Sequence, residues 1–192
     1  MARTGMATII TTLRGFCVLG TSDYTIAGSL TYWSDNHIQE VLDRHRTYIV
    51  REELTPFDSY SGAGTIVYLE YRSAFGNLES GTAAFEIEEG DGATIGTASY
   101  TMDYPNGICT FTTDQAGSAR YMTAWTYDIY SAAAEIWDMK CAQVASGVDF
   151  STDNMRVNRG QLIQNYQDMA TYYRRKAGVP VFNFTRDDSE IL

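Results

Sequence analysis

Two histidines, a glycine cluster, an acidic run and a basic-aromatic cluster are the places where residue types and spacing could support chemistry. His37 and His45 lie eight residues apart. On a helix this puts them on similar faces but two turns apart. Metal ligands must converge to within about 2 Å of the ion, which is why zinc motifs of the HExxH type use a spacing of four. The pair therefore reads as surface or half-buried imidazoles, and no metal site is expected. Gly90-Asp91-Gly92 with Gly96 approaches a dinucleotide fingerprint. Its spacing is GxGxxxG, however, and the residues that follow read as a strand. No helix N-terminus is then available to receive a phosphate, so a β-turn is expected rather than a nucleotide site. Glu86, Glu88, Glu89 and Asp91 crowd one short stretch. Paired carboxylates can hydrolyse glycosides or bind calcium. These sit at a strand end leading into a turn, without EF-hand spacing, and read as an acidic hairpin tip. A hydrolase built on Glu86 and Glu88 would need both carboxylates in one cleft, about 5–9 Å apart, with raised pKa. The sequence has neither GxxxxGK[ST] nor GxSxG. An enzyme is not expected, and neither is a cofactor.

Tyr172-Tyr173-Arg174-Arg175-Lys176 is the one concentrated basic cluster. Cations near a helix C-terminus complement the macrodipole, aromatics beside cations can stack bases, and such a patch can also meet an acidic surface on a partner. The formal net charge is −10. Phosphate backbones repel such a chain, so general nucleic-acid binding is not expected. An acidic wall beside passing DNA would prevent sticking. The three cysteines, Cys17, Cys109 and Cys141, are widely spaced and read as reduced thiols. The first twenty residues scatter apolar positions around Arg14 and do not read as a signal peptide. No apolar stretch is long enough to span a bilayer. Tyrosine occurs 14 times, and its large amphipathic ring favours interfaces as well as cores.

Three amphipathic helices must position these residues. The first starts at Ser34 or Asp35, either of which can cap it, and carries Ile38, Val41, Leu42, His45 and Ile49 at helical spacing. It is expected to end near Thr47. The second runs from about Ile129 to Ser146, with Ala133, Ile136, Trp137, Cys141 and Val144 on its stripe and Gly147 as terminator. The third follows an Asn158 cap, carries Leu162, Tyr166, Met169, Ala170, Tyr173 and Ala177, and stops at Gly178 and Pro180. Between the first two, the texture is β-like. Thr65–Tyr71 reads as a strand and Ala83–Glu88 as a shorter one. Ala98–Asp103 and Ile108–Thr113 read as a hairpin closed by Tyr104-Pro105-Asn106-Gly107. Arg120–Tyr127 alternates and is expected to join the same sheet. Aromatics on both faces of this sheet point to a covered second face.

The expected architecture is α+β: a small helix bundle, three main helices plus a short N-terminal one, with an antiparallel β insertion between the first and the last two helices. Residues 1–49 and 128–178 make the helical core, 50–127 the β-rich insertion, and 179–192 an extended C-terminal arm carrying Phe182, Phe184 and Leu192. The arm has aromatics without helical period, and is expected to order on a partner.

Two segments carry a resemblance. Tyr121–Ala142 (YMTAWTYDIYSAAAEIWDMKCA) is an aromatic strand running into an alanine-rich helix. It is followed by Asp149-Phe150-Ser151-Thr152-Asp153, Arg159-Gly160-Gln161 and Tyr166–Ala177 (YQDMATYYRRKA). The order and spacing resemble the C-terminal half of tailed-phage head–tail connector (adaptor) proteins. Leu13-Arg14-Gly15, Tyr32-Trp33-Ser34-Asp35 and Leu42-Asp43-Arg44-His45-Arg46 resemble the front half of the longer members with a β insertion. Gly160 departs from the pattern, where serine is usual. The resemblance implies a structural virion protein without an active site. Copies would form a ring, commonly of about twelve, in the neck of the virion between the portal protein and the tail or tail-completion protein. DNA would pass through the lumen without specific binding. Such a protein is made in the host cytoplasm and meets no membrane. The partner-binding residues expected are Tyr172, Arg174, Arg175, Lys176, Phe182, Phe184 and Leu192. The alternative within the same class is a tail terminator, another neck protein or a head-decoration protein.

Overall fold

Helices flank a run of consecutive strands in the computed structural model, which describes residues 2–20, 25–26, 30–31, 33–62, 64–81, 83–146, 151–152, 155–156 and 159–178. A 3-10 turn, Thr4–Met6, leads into α1 (Ala7–Cys17). The short pair β1 (Thr25–Ile26) and β2 (Leu30–Thr31) precedes α2 (Asp35–Arg44). Then come β3 (Arg46–Tyr60), β4 (Ile66–Arg72), β5 (Phe85–Glu89), β6 (Tyr100–Asp103), β7 (Ile108–Phe111) and β8 (Arg120–Tyr127). The chain continues with α3 (Ile129–Ser146), a second short pair β9 (Ser151–Thr152) and β10 (Met155–Arg156), and α4 (Arg159–Lys176). Among the described residues the fold is α+β, with four helices and a curled antiparallel sheet.

The helices share one core. Met6, Ile9, Ile10, Leu13 and Cys17 of the N-terminal segment pack with Ile38, Val41 and Leu42 of α2. Ala132, Ala133, Ala134, Ile136 and Trp137 of α3 and Ala170 and Tyr173 of α4 complete it. The three alanines let the helix backbones come close. Cys17 Sγ lies 3.7 Å from the Ala133 carbonyl oxygen, and burial pushes its thiol pKa up to about 12. Cys17 and Cys109 are buried free thiols, and Cys141 is a half-buried one. Two caps start the helices. Ser34 accepts a hydrogen bond from the His37 N–H at 3.3 Å. Asp128 accepts from the N–H groups of Tyr130 and Ser131, both at 3.0 Å, so β8 turns into α3 with a satisfied first turn.

The six-stranded sheet has the order β5-β8-β3-β4-β7-β6 and curls around a second core. Ile49 and Leu54 of β3 meet Tyr71, Phe85, Ile87, Tyr100, Cys109, Phe111, Met122 and Ala124 there. The two ends of the sheet approach each other, with Phe85 of β5 packed on Tyr100 and Tyr104 at ring distances of 6.4 and 5.1 Å. Residues 77–79 complete the curl. Glu79 N–H donates to the Trp125 carbonyl and Leu78 N–H to that of Tyr104, both at 3.0 Å.

The helix expected from Ser34 to near Thr47 stops earlier, at Arg44, where His45 N–H closes back onto the Leu42 carbonyl. From Arg46 the chain is a 15-residue strand. Ile49 therefore belongs to the sheet core and not to the α2 stripe. The physical reason is the run Thr47-Tyr48-Ile49-Val50, whose β-branched and aromatic side chains pack better on a pleated surface than on a helix. The sheet thus begins at Arg46 rather than at residue 50. Gly147, Asn158 and residues 179–192 lie outside the described residues.

The hairpin turn has a specific requirement. Gly107 has φ +67°, and a Cβ there would lie 2.1 Å from the Phe75 carbonyl oxygen. Gly107→Ala combines positive φ with a backbone clash. It is expected to cost about 2–4 kcal/mol in denaturant unfolding, and an unchanged midpoint would contradict this role.

Candidate interaction surface

The residues singled out for chemistry do not converge. His45 lies beyond the end of α2, and its Nε2 is 2.6 Å from Glu135 of α3, which also pairs with Arg44 at 2.6 Å. His37 remains on α2 beside Trp33, ring centroids 5.7 Å apart. The glycine cluster is a turn, with Gly92 N–H donating to the Glu89 carbonyl and Gly92 at φ +89°. The acidic run is tied down rather than gathered. Glu86 accepts from the Thr94 hydroxyl, Glu88 from Arg51 at 2.5 Å, and Asp91 from the Ala93 N–H at 3.0 Å. Among the described residues no group of three or more His, Cys, Asp or Glu side chains could hold a metal ion.

The basic-aromatic cluster at the end of α4 divides. Tyr173 is buried, donates to the Phe16 carbonyl at 3.0 Å, and stacks with Phe16 and Tyr130. Tyr172, Arg174, Arg175 and Lys176 are exposed. Arg174 pairs with Asp138 of α3, and the Lys176 ammonium lies 4.7 Å from the Tyr172 ring centre. Much of this charge serves the chain's own surface. Phe182, Phe184 and Leu192 lie outside the described residues.

The outer face of the sheet was only partly legible in the sequence. Side chains of paired residues point to the same side of a sheet. Ile49 opposite Ala124 and Pro56 opposite Tyr71 face inward. Tyr48 opposite Trp125, Glu53 opposite Tyr121, and Phe57 opposite Glu70 therefore face outward. Three arginines stack on this row of aromatics. Arg46 lies 4.3 Å from the Trp125 ring centre, Arg51 4.9 Å from Tyr121, and Arg72 4.2 Å from Phe57. Tyr48 packs on Trp125 at 4.6 Å yet stays 51 % exposed. Beyond β8, the ends of β3 and β4 run on as a two-stranded ribbon that presents Phe57, Tyr60 and Ile66 to solvent. Tyr, Trp and Arg are the side chains that dominate interface hot spots. They offer large rigid area and charge, and this face presents all three.

A half-buried polar knot fixes this surface to the helices. Arg3 donates to Glu79 at 2.7 Å, to Asp43 at 2.6 and 2.9 Å, and to the Tyr127 hydroxyl at 2.8 Å. The Tyr127 hydroxyl donates to Glu79 at 2.5 Å. Gly5 sits so close to Ser80 that a Cβ would lie 1.9 Å from its carbonyl oxygen. Burial works against the Asp43 carboxylate, but the hydrogen bonds and charge of Arg3, with Arg46, hold its pKa below the ordinary value. Burial first, then Glu79, pushes the Tyr127 phenol up. The sequence carries no signal for this knot, because Arg3 and Glu79 are 76 positions apart.

A shallow groove of about 180 Å³ between α1 and the β6–β7 hairpin is lined by Thr8, Ile9, Met102, Tyr104, Pro105 and Ile129 among others. It holds no convergent set of titratable groups. Neither a protein-family model nor a curated protein sequence matches the chain.

Proposed function

We propose that the chain is a structural subunit of a tailed-phage virion, a head–tail connector that assembles as a ring in the neck, between the portal protein and the tail. The observation that carries this reading is the outer sheet face, where three arginine–aromatic stacks and the exposed Tyr48 and Phe57 form an interface-type surface. The motif order from β8 through α3 to α4, with its resemblance to connector proteins, supports the choice of family. The packing of the motif residues fits it. Trp137 and Tyr166, which stand in the two resembling helices, meet at 5.3 Å, and the alanine triplet is buried. The net charge of −10 suits a lumen through which DNA slides without adhering. The engaged carboxylates of Glu86 and Glu88 favour assembly over hydrolysis as the role of that strand.

Co-sedimentation of the full chain with DNA-filled heads, and separately with purified tails, tests the reading. The chain is expected to pellet with heads that carry an exposed portal. Association with tails alone would favour a tail terminator, and even coverage of portal-free capsids a decoration protein. Binding to neither overturns the structural reading. Tyr48→Thr with Phe57→Thr, which keeps strand-forming residues and puts no charge opposite Glu70, is expected to abolish pelleting at a stability cost of about 1–2 kcal/mol from the lost cross-strand contacts with Trp125 and Arg72. Undiminished pelleting would show that this face makes no essential contact.

A further inference from the structure

The open flank of β3 carries an inference about how copies meet. β8 begins at Arg120, opposite Leu54. Beyond that point Thr55–Tyr60 pairs only with β4, and its other flank faces solvent among the described residues. The direction of the backbone groups follows from the ladder. Ser61 N–H donates to the Thr65 carbonyl across the ribbon. The irregularity falls on the β4 side, since β3 advances from Phe57 to Ser59 while β4 goes from Glu70 to Val67. The alternation along β3 is therefore unbroken. The odd residues bond to β4, and Pro56, Asp58 and Tyr60 turn their main-chain groups outward. Pro56 stands where its missing N–H breaks no ladder bond, the position proline takes in a strand. Among the described residues two donors and three acceptors remain open there, beside Phe57 and Tyr60, which are 47 % and 73 % exposed.

We infer that this edge receives residues 181–186 of a second copy of the chain as an added antiparallel strand. Val181, Phe182, Phe184 and Thr185 are strand-forming types, and main-chain pairing with an edge is a standard mode of peptide capture. Symmetric pairing of two β3 edges is disfavoured by Pro56, because it removes a donor from each. Reach excludes the chain's own edge. The end of α4 is anchored at Tyr130, where Tyr173 and Lys176 pack. Tyr130 lies one turn beyond Tyr127, which pairs with Arg46 at the start of β3. Asp58 is twelve residues further along β3, about 40 Å measured along the strand. The six residues from Lys176 to Phe182 span about 20 Å when fully extended. The segment is therefore assigned to a contact between copies. Each copy gives one segment and receives one, a head-to-tail contact of the kind that closes rings. The inference concerns contact between copies and stands without the portal.

Hydrogen exchange on the full chain, followed by mass spectrometry over about a hundredfold dilution series, tests it. The amides of Asp58, Tyr60 and residues 181–186 are expected to gain about tenfold protection together at the concentrated end and to lose it on dilution. Phe182→Ser with Phe184→Ser should abolish that gain. So should Asp58→Pro, which removes an outward donor and leaves the bonds to β4 in place. Exchange at Asp58 and Tyr60 that ignores concentration overturns the inference. So does protection that survives all these substitutions. A chain that fails here yet pellets with portal-bearing heads overturns only this contact, whereas one that passes here and ignores heads overturns only the connector reading.

Discussion

Replacing Trp137 with alanine is expected to lower stability by about 3–5 kcal/mol, an effect of the size that truncating a large core aromatic produces. The indole is 6 % exposed and packs on Tyr166 of α4, with the Lys140 ammonium 4.6 Å from its ring centre. α4 packs along α3, where Tyr166 meets Trp137 and Tyr173 meets Tyr130, and Tyr173 also reaches Phe16 of α1. Removing Trp137 leaves a cavity beside Tyr166 that these helices can close only by shifting. The indole Nε1 has no hydrogen-bond partner among the described residues, so lost packing and not a lost polar contact carries the effect. Trp137→Phe should therefore retain much of the stability. Denaturant unfolding with far-UV circular dichroism measures both variants. A loss below about 1 kcal/mol in the alanine variant would mean that α4 does not depend on this contact.

Glu79→Ala is expected to cost about 2–4 kcal/mol. The carboxylate is 4 % exposed and receives Arg3 and the Tyr127 hydroxyl. Its loss leaves the phenol without its acceptor and the Arg3 guanidinium with Asp43 as its one remaining carboxylate, beside the Tyr127 oxygen. The guanidinium is 38 % exposed, so solvent screens part of the charge effect. The estimate therefore sits below that for a fully buried pair. Glu79→Gln keeps an acceptor for Tyr127 and should cost less. The same knot gives a pH dependence through Asp43. Its folded pKa is held below the ordinary carboxylate value, so its contribution is present in full above the unfolded value of about 4 and is lost as pH falls through the folded one. Arg3→Ala should flatten the acid limb of the stability curve. An Arg3→Ala variant with the acid sensitivity of the parent would remove Asp43 from the explanation. A neutral Glu79→Ala would mean that the knot does not anchor the N-terminus.

Local signals made α3, α4 and the Tyr100–Phe111 hairpin legible. An alanine-rich stripe, a glycine past the last helical residue and Pro-Asn-Gly in a turn act over a few residues, and the structure follows them. β3 was obscured because its start continues the spacing of α2. Ile49 follows Val41, Leu42 and His45 at helical intervals, and only the β-branching around it favours a strand. Further on, Arg51 takes φ +50° and the register with β8 shifts between Ile49 and Glu52. That bulge breaks the alternation which would have marked the strand. The surface chemistry was legible in type but not in place. The tyrosines pointed to a covered second face, while the stacking of Arg46, Arg51 and Arg72 on that face depends on long-range register. The Arg3–Glu79 pair is likewise set by tertiary contact alone.

The connector role rests on assembly, and its most direct test is cryo-electron microscopy of the full chain bound to portal-bearing, DNA-filled heads. The proposal predicts a closed ring coaxial with the portal, with the outer sheet face around Tyr48 and Phe57 against a neighbouring protein. Density for the chain on the capsid shell or at the tail tip, or no ring at the portal, would contradict it.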